Sequence, residues 1–298
     1  MPSMTTFLPW CFFTCSGFSS ALLVPRYPRR LGKFYPISFH QPTKHDYHSR
    51  ARPRSALHQQ RADITNSTTM ANPLAELPQP LILGSGSFTR KLILREMGVD
   101  FVVVTRSIDE RSLGDRERDA PEELVTQLAH AKMDHLLKEI QAGNCADDLP
   151  DRSGPKPGER LVMTADQVVT CNGKILEKPD DVEQAKRFVQ EYGRSPCSTV
   201  GAVVFAHVPS QTRVSALHKA TIHFRSTLTG EAANQLVDDL IEDEAPVLSC
   251  AGGLMIEHPL TKNYVERIDG SEDSVMGLCK LTVLDLLASM RTKLNSAS

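Results

Sequence analysis

Cysteine patterns that bind zinc or form a disulfide scaffold are absent from this sequence. The 298 residues include seven cysteines, but they contain no CxxC pair and no paired Cys/His spacing. Structural zinc sites and small secreted domains need such spacings, so their absence argues against both classes. We expect the cysteines to be buried or incidental thiols in a reducing compartment. The sequence also contains no internal repeat.

Acidic residues are nearly absent from the first 61 positions. Residues 1–61 contain nine Lys and Arg residues but a single acid, Asp46. A stretch rich in Ser, Arg and Pro with so few acids is typical of an organelle transit peptide. We therefore predict that residues 1–61 are disordered and direct import into a chloroplast or mitochondrion, and that residues 62–79 form a polar linker. A chain started at Met70 instead of Met1 would be cytoplasmic.

The sequence has no uninterrupted apolar run long enough to span a membrane. The stretch from Phe7 to Val24 is broken by Pro9 and by small polar residues, and no basic residue precedes it. It therefore predicts neither a secretory signal nor a membrane anchor. Beyond residue 61 the chain carries 25 basic and 35 acidic residues. This excess of acid disfavours nucleic-acid binding, because contacts to a phosphate backbone need a basic face.

Segments with strand and helix patterns alternate from residue 80 onward. The apolar runs Leu81–Leu83 and Phe101–Val104 predict strands, whereas Arg90–Met97 and Pro121–Ile140 have helical spacing. This alternation predicts an α/β domain over residues 80–292. Its second half continues with a helix over Asp180–Tyr192, strands over Thr199–Ala206 and Ala220–Phe224, and helices over Glu231–Ile241 and Glu272–Met290.

One carboxylate follows directly from a buried strand. The apolar run Leu161–Met163 leads into Asp166, which we predict to lie at the carboxyl end of that strand, where α/β proteins place their ligand sites. Asp166 is therefore a candidate catalytic acid or base. Lys178 follows after a turn, and Pro179 prevents the segment from continuing as a central strand. Taken singly, each of the two charged residues is more typical of a surface turn.

Small residues join the first predicted strand to the first predicted helix. Ser85, Gly86 and Ser87 allow backbone N–H groups to point at an anion at the helix N-terminus, and Arg90 adds a full positive charge. The GxxxxGK[ST] spacing of a P-loop is missing. A purely structural turn therefore remains an equal alternative at this position.

Further charged residues complete the set that a polyphosphate enzyme needs. Asp109 and Glu110 follow the second strand, and Lys132 lies on the next helix. Singly, such residues commonly cap a loop or face solvent. Together with Asp166 and Lys178 they supply carboxylates for a divalent cation and cations for a polyphosphate. This combination predicts metal-assisted attack of water on a phosphoanhydride.

The order and spacing of these segments resemble the Maf (septum formation) family of nucleoside triphosphate pyrophosphatases. The resemblance covers about residues 81 to 290. Each segment is weak evidence alone, but their shared order is specific. In chain order they are Ser85-x-Ser87 with Arg90, Asp109-Glu110, Leu128-Ala129-x-x-Lys132, Ala165-Asp166-Gln167-Val168-Val169, Lys178-Pro179, Ala251-Gly252 with Glu257, and Val275-Met276-Gly277-Leu278.

The resemblance implies a fold, a reaction and roles for the matched residues. The fold would be a single elongated α/β domain, with a twisted mixed sheet flanked by helices around a central cleft. The reaction would release pyrophosphate from a nucleoside triphosphate and would depend on Mg or Mn. Asp166 would accept the proton of the attacking water, and Glu110 and Asp166 would hold the metal. The implied phosphate ligands are Ser85, Ser87, Arg90, Lys132 and Lys178. A homodimer is left open.

Two residues resemble the branch of the family that acts on 7-methyl-GTP. The branch that acts on dTTP and UTP has Asp-Thr on the catalytic strand and a later glutamine, whereas this chain has Gln167 and Glu257. A carboxylate can accept two hydrogen bonds from the Watson–Crick edge of guanine, and N7 methylation makes that base cationic.

The sequence departs from the family pattern beside the substrate positions. Phe88 replaces the usual Pro, Thr89 replaces the usual Arg or aromatic residue, and His258 replaces the usual Gly. The lack of an aromatic side chain at Thr89 would weaken stacking on a cationic base. These departures keep open a second function, that of a nucleotide-binding regulatory protein linked to cell division without turnover.

Overall fold

The computed structural model of the chain describes residues 72–149 and 158–297. The predicted transit peptide, residues 62–71 of the predicted linker and Met70 lie outside these ranges. Seven strands of the described residues form one sheet. The strands are β1 Leu81–Leu83, β2 Phe101–Val103, β3 Arg160–Cys171, β4 Lys174–Leu176, β5 Cys197–Val208, β6 Arg213–Phe224 and β7 Val265–Asp269. The helices are α1 Phe88–Glu96, α2 Pro121–Gln141, α3 Val182–Tyr192, α4 Gly230–Glu242, α5 Pro259–Lys262, α6 Glu272–Met276 and α7 Lys280–Ala297.

The sheet is mixed, which confirms the predicted α/β class. Its strand order is β2-β1-β3-β5-β6-β7, and β4 pairs with β3 beside this path. Strands β2, β1 and β3 run parallel, whereas β3, β5, β6 and β7 pair antiparallel. No helix of the described residues is both long and apolar enough to cross a bilayer.

Strand β3 has one fully paired edge and one interrupted edge. Strand β5 pairs with it from Arg160 to Cys171. On the other edge β1 covers Val162 and Met163, and β4 covers residues 169–171. Among the described residues no strand pairs with that edge over 164–168. Because β1 is parallel and β4 antiparallel to β3, the carboxyl ends of β1 and β4 both face this gap. The candidate site lies at the gap.

Alternate residues of the sheet face two differently covered sides. On one face Val162 and Val204 pack with Leu128 and other apolar residues of α2. On the opposite face Met163 and Phe205 pack with residues of α1 and α7. Further along that second face α3 and α4 pack over the end of β3. Each fully buried aliphatic side chain contributes about 1.5–3 kcal/mol, so burial on both faces fixes the register of β3.

The structure corrects the predicted position of Asp166. Residue 166 lies in the middle of β3, paired with Ala202 of β5, and not at the end of a strand. Apolar residues continue after it through Val168 and Val169, and both are buried. Asp166 is accessible to the site because no described strand pairs with the second edge of β3 at residue 166.

The helix predicted over Glu272–Met290 is two helices, α6 and α7. Gly277 ends α6 in a left-handed conformation with φ of 116°, which favours glycine. Asp273 then accepts a hydrogen bond from the backbone N–H of Lys280 at 2.6 Å, at the start of α7. The apolar periodicity gave no sign of this break, because both helices bury side chains against the same sheet.

Part of the segment predicted as a linker belongs to the core. Leu74 is 0% exposed and Leu77 is 3% exposed, and both pack in the cluster formed with α1 and α7. Arg291 of α7 also donates a hydrogen bond to the Pro73 carbonyl at 2.6 Å. The linker prediction is therefore corrected over residues 72–79, where two apolar side chains anchor the chain.

Candidate active site

Three predicted residues meet at the open edge of β3. The side chain of Asp166 is on the α2 face of the sheet and is buried. Its Oδ1 atom accepts a hydrogen bond from Lys132 Nζ at 2.5 Å. The same Nζ lies 3.0 Å from Oε1 of Glu110, which begins a short 3₁₀ turn. One ammonium group therefore lies between two carboxylates.

The environment raises the pKa of Asp166 above its ordinary value. Burial is the largest cause, because it disfavours the charged carboxylate. The positive charges of Lys132 and Arg90 oppose this rise, and the negative charge of Glu110 adds to it. A carboxylate that is buried but still beside two cations is suited to accept a proton from water.

The two carboxylates are suited to supply part of the ligand set of a divalent ion. No group of three or more His, Cys, Asp or Glu side chains in the described ranges could hold a metal alone. Mg²⁺ is commonly bound by one or two carboxylates and by substrate phosphates, with water filling the other positions. Asp166 and Glu110 already converge on one cation, the Lys132 ammonium. Their oxygen atoms are the hard ligands that Mg²⁺ and Mn²⁺ prefer.

The serine turn connects the end of β1 to the start of α1. Ser87 is the N-cap of the helix, and its Oγ accepts a hydrogen bond from the backbone N–H of Arg90 at 3.4 Å. Ser85 Oγ accepts from the backbone N–H of Ser87 at 3.3 Å. Gly84 permits the close approach of this turn to α2, since a Cβ atom there would lie 2.7 Å from Leu136 Cδ2. The N-terminus of α1 is thus held at the gap.

Arg90 connects the turn to two distant segments. Its Nη1 donates to the Ala165 carbonyl at 2.9 Å and to Ser85 Oγ at 3.1 Å. Its Nε donates to the Gly277 carbonyl at 3.0 Å. Burial lowers the pKa of Arg90, an effect that the charges of Asp166 and Glu110 oppose. These three donor contacts join the turn to β3 and to the end of α6, and the role of Arg90 as a phosphate ligand stays a prediction.

Lys178 is an exposed lysine in the loop after β4. Strand β4 ends at Leu176, which pairs with Val169, so Lys178 follows two residues after the strand that borders the far side of the gap. The loop is fixed by a hydrogen bond from the Gly252 N–H to the Glu177 carbonyl at 2.9 Å. Lys178 forms no ion pair within residues 72–149 and 158–297. It is therefore available to a phosphate at the opposite side of the gap from the serine turn.

Two predicted specificity residues, Gln167 and Thr89, lie near α6, and the side chain of Gln167 is on the other face of the sheet from Asp166. Gln167 Nε2 donates to the Val275 carbonyl at 2.9 Å. A Cβ atom on Gly277 would lie 3.7 Å from Gln167 Oε1 and 3.8 Å from Thr89 Oγ1, so these two side chains share one small space. Burial raises the pKa of Glu257, and the charge of Glu272 in α6 adds to this rise. The structure brings Gln167 and Thr89 together, and it shows no direct contact between them and Glu257.

Two buried polar residues of this region, His218 and Ser274, were not predicted from the sequence. His218 Nδ1 lies 2.8 Å from Ser274 Oγ, and both side chains are buried. The available signal was Gly201, a glycine inside a long strand, which often marks close approach of another group. Its pairing with His218 depends on the β5–β6 register and could not be assigned from the sequence.

Comparison with known proteins identifies relatives along most of the chain. The family model described as Maf-like protein matches residues 80–290. A 7-methyl-GTP pyrophosphatase of Dictyostelium discoideum is 30% identical over 212 residues, which cover 71% of this chain and 98% of that protein. A 7-methyl-GTP pyrophosphatase of Idiomarina loihiensis is 30% identical over 70% of this chain and 93% of its own length. A dTTP/UTP pyrophosphatase of Escherichia coli K12 is 28% identical, covering 70% and 92% respectively.

The matched range contains every residue of the site described above. It begins just before β1 and ends within α7, so it includes both faces of the sheet and the gap beside β3. Family match, fold and site thus concern the same part of the molecule. The chain belongs to the Maf-like protein family.

Proposed function

We propose that this chain hydrolyses a nucleoside triphosphate to the monophosphate and pyrophosphate, and that 7-methyl-GTP is its substrate. The observation that carries the proposal is the buried Asp166, paired with Lys132 and near Glu110 at the open edge of β3. Relatives named as pyrophosphatases of 7-methyl-GTP and of dTTP/UTP support the reaction class.

The site would bind the triphosphate from two sides of the gap. The N-terminus of α1, capped by Ser87, offers backbone N–H groups and a partial positive charge to phosphate oxygens. Lys178, in the loop after β4, and Lys132, beside Asp166, would add positive charge to the site. Asp166 and Glu110 would hold the divalent ion, which would supply positive charge to the phosphate oxygens during the reaction.

Asp166 is the proton acceptor in this proposal. Its carboxylate takes one proton from a water molecule, whose oxygen then bonds to the α-phosphorus. The bond between that phosphorus and the oxygen bridging to the β-phosphate breaks, and pyrophosphate leaves with the electron pair. Arg90 contributes by holding the Ala165 carbonyl and the serine turn, which fixes the residue before Asp166 relative to the α1 N-terminus.

Base recognition would occur beside α6. The 7-methylguanine edge presents N–H donors, for which the Glu257 carboxylate is an acceptor, and Gln167 and Thr89 lie near the same short helix. The preference for 7-methyl-GTP over UTP follows from this acceptor, because uracil and guanine present different donor patterns.

The reaction is tested by product analysis of a nucleotide panel with Mg²⁺, with Mn²⁺ and with chelator. We expect pyrophosphate and the monophosphate, only when a metal is present. Asp166→Asn should reduce kcat by at least about a hundredfold, the lower range for loss of a general base. Asp147→Asn, at an exposed position of a short turn, is the matched control and should behave as wild type. Orthophosphate as the sole product, or binding without turnover, would contradict the proposal.

We propose in addition that residues 1–61 direct import into a chloroplast or mitochondrion. The support is their composition, with nine basic residues and one acid. A reporter protein fused after residue 61 should enter an organelle, and the same reporter fused to residues 70 onward should stay in the cytoplasm. Cytoplasmic location of both fusions would contradict the proposal.

A further inference from the structure

Three residues form one row across the sheet beneath α6. Gln167 of β3 pairs with Gly201 of β5, and Gly201 pairs with His218 of β6. Residues paired across antiparallel strands have side chains on the same face. Gly201, the central residue of the row, has no side chain and leaves a space above it on this face of the sheet.

The imidazole of His218 occupies the space above Gly201. A Cβ atom on Gly201 would lie 2.4 Å from both Cε1 and Nε2 of His218, which is closer than any van der Waals contact. The ring edge that carries Nε2 is therefore directly above the glycine and on the side of Gln167. His218 is 7% exposed, so the ring is enclosed by the sheet and α6.

Two buried polar atoms of this row have no hydrogen-bond partner. They are Nε2 of His218 and Oε1 of Gln167. The other polar atom of each side chain is occupied, because His218 Nδ1 pairs with Ser274 Oγ and Gln167 Nε2 donates to the Val275 carbonyl. An unpaired buried polar atom is costly, and two such atoms in one small space call for a shared explanation.

The two atoms are chemically complementary in one tautomer of the imidazole. Burial, the largest cause, and the positive charge of Arg90 lower the pKa of His218 to about 4, although Asp273 opposes this, so the ring is neutral near pH 7. When the Ser274 hydroxyl donates to Nδ1, the ring proton is on Nε2, which becomes a donor. The amide oxygen of Gln167 is an acceptor.

We infer that His218 positions the Gln167 amide, and that base selection depends on this pair. The Nε2–H group of His218 donates to a buried water that in turn donates to Gln167 Oε1, since the two atoms are not in direct hydrogen-bond contact, and this bridge holds the amide with its nitrogen toward Val275. His218 does not touch the nucleotide and acts through Gln167. This inference rests on the proposed function, since Gln167 is one of the residues proposed to select the base.

Three substitutions distinguish the roles of the two nitrogen atoms of the His218 ring. His218→Gln can keep a donor near the Nε2 position, His218→Asn can keep only the contact to Ser274, and His218→Phe keeps the ring shape and neither nitrogen. We expect the ratio of kcat/KM for 7-methyl-GTP over UTP to fall about tenfold in the Asn and Phe variants, as for loss of one buried hydrogen bond. The Gln variant should retain most of the ratio. Thermal unfolding of each variant identifies those that fold.

A double-mutant cycle distinguishes positioning from general support of the fold. In a Gln167→Ala background, His218→Asn should change the ratio no further, because the amide that it positions is gone. An equal tenfold loss in that background, or an unchanged ratio in the folded Asn and Phe variants, would overturn the inference.

The tautomer gives a test that needs no turnover. Imidazole ¹⁵N shifts of the wild-type protein should show the proton of His218 on Nε2. A proton on Nδ1, or a charged ring at pH 7, would overturn the inference. If no nucleotide releases pyrophosphate, the proposed function is wrong. The tautomer measurement would still decide the role of His218, so the two proposals can fail separately.

Discussion

At the scale of single residues, the site is defined by how burial and charge act on Asp166. Burial raises the pKa of this carboxyl, and Lys132 and Arg90 limit the rise. Lys132 is also shared with Glu110. A variant without the Lys132 ammonium would place two carboxylates near each other with no cation between them, so this lysine supports the ionised state of Asp166.

The sequence located these residues but not their contacts. The order of the segments around Asp166, Lys132 and Glu110 was readable, and the structure brings all three together. The partners of Arg90 were not readable, because two of them are backbone carbonyls, those of Ala165 and Gly277, which lie far away along the chain. Any residue type offers a carbonyl, so no sequence signal marks such contacts.

Glu257 should determine the preference for 7-methyl-GTP over UTP. Glu257→Gln replaces a carboxylate, which only accepts hydrogen bonds, by an amide whose N–H group would face the N–H donors of guanine. We expect the discrimination between 7-methyl-GTP and UTP to fall by an amount on the order of 1 to 3 kcal/mol. Glu242→Gln is the matched control, since Glu242 is an exposed acid at the end of α4 that does not act on the pKa of Glu257. The measurement is the ratio of kcat/KM for the two nucleotides, and an unchanged ratio in Glu257→Gln would remove this residue from base recognition.

The same ratio should depend on pH in the wild-type protein. Burial raises the pKa of Glu257, so its carboxylate is present above that raised pKa and is lost as the pH falls through it. Selectivity should therefore decline toward acid at a higher pH than an ordinary glutamate would give. The Glu257→Gln variant should show no such decline.

At the scale of elements, the short helix α6 is held by polar side chains from several strands. Gln167 of β3 donates to the Val275 carbonyl, Thr199 of β5 to the Ser274 carbonyl, and His218 of β6 pairs with the Ser274 side chain. Five residues are too few for a helix to be stable alone. These contacts, and the capping of its ends, therefore fix the segment that borders the proposed base site.

Asp273 should stabilise the junction between α6 and α7. Its carboxylate accepts backbone hydrogen bonds from Ser274 at 3.0 Å and Lys280 at 2.6 Å. Burial alone would raise its pKa, but hydrogen bonds from Ser271, Lys280 and Ser274 outweigh burial and lower the pKa. We expect Asp273→Ala to reduce the free energy of unfolding by about 1–3 kcal/mol, as for loss of hydrogen bonds to a charged group.

The stabilisation by Asp273 should be lost in acid. Because its folded pKa is lowered, the contribution is complete above the pKa of an unfolded aspartate, about 3.9, and disappears as the pH falls through the lower folded value. Urea unfolding from pH 7 down to pH 2 should bring wild type and Asp273→Ala together at the acid end. A difference that is constant over this range would contradict the role of the carboxylate.

Most elements could be predicted from apolar periodicity, and the failures have physical reasons. Helix α2 was predicted over Pro121–Ile140 and ends one residue later, since a long amphipathic helix has a clear pattern. The interrupted edge of β3 was not predictable, because it results from the pairing positions of two three-residue strands, β1 and β4. In the sequence, the polar pair Asp166-Gln167 therefore has the pattern of a strand end, although β3 continues beyond it.

At the scale of the whole molecule, the domain needs the residues that precede its first strand. A chain beginning at Met70 retains Leu74 and Leu77, which are buried, whereas a chain beginning at Pro80 lacks both. We expect the shorter chain to be less stable by about 1.5–3 kcal/mol for each lost side chain. Thermal unfolding measures the stability of the two chains. Leu74→Ala in the longer chain removes only one of the two buried side chains and should give an intermediate loss of stability. Equal stability of both chains would contradict the assignment of residues 72–79 to the core.

The interrupted edge of β3 has a further consequence for catalysis. A catalytic group on a mobile loop must be ordered each time substrate binds, and that ordering opposes binding. Asp166 instead has a backbone already fixed by β5 along its whole strand and by β1 and β4 on either side of the gap. Its orientation is set when the chain folds, so the proposed base is preorganised before a nucleotide enters. The gap therefore combines access for substrate with the rigidity of the centre of a sheet.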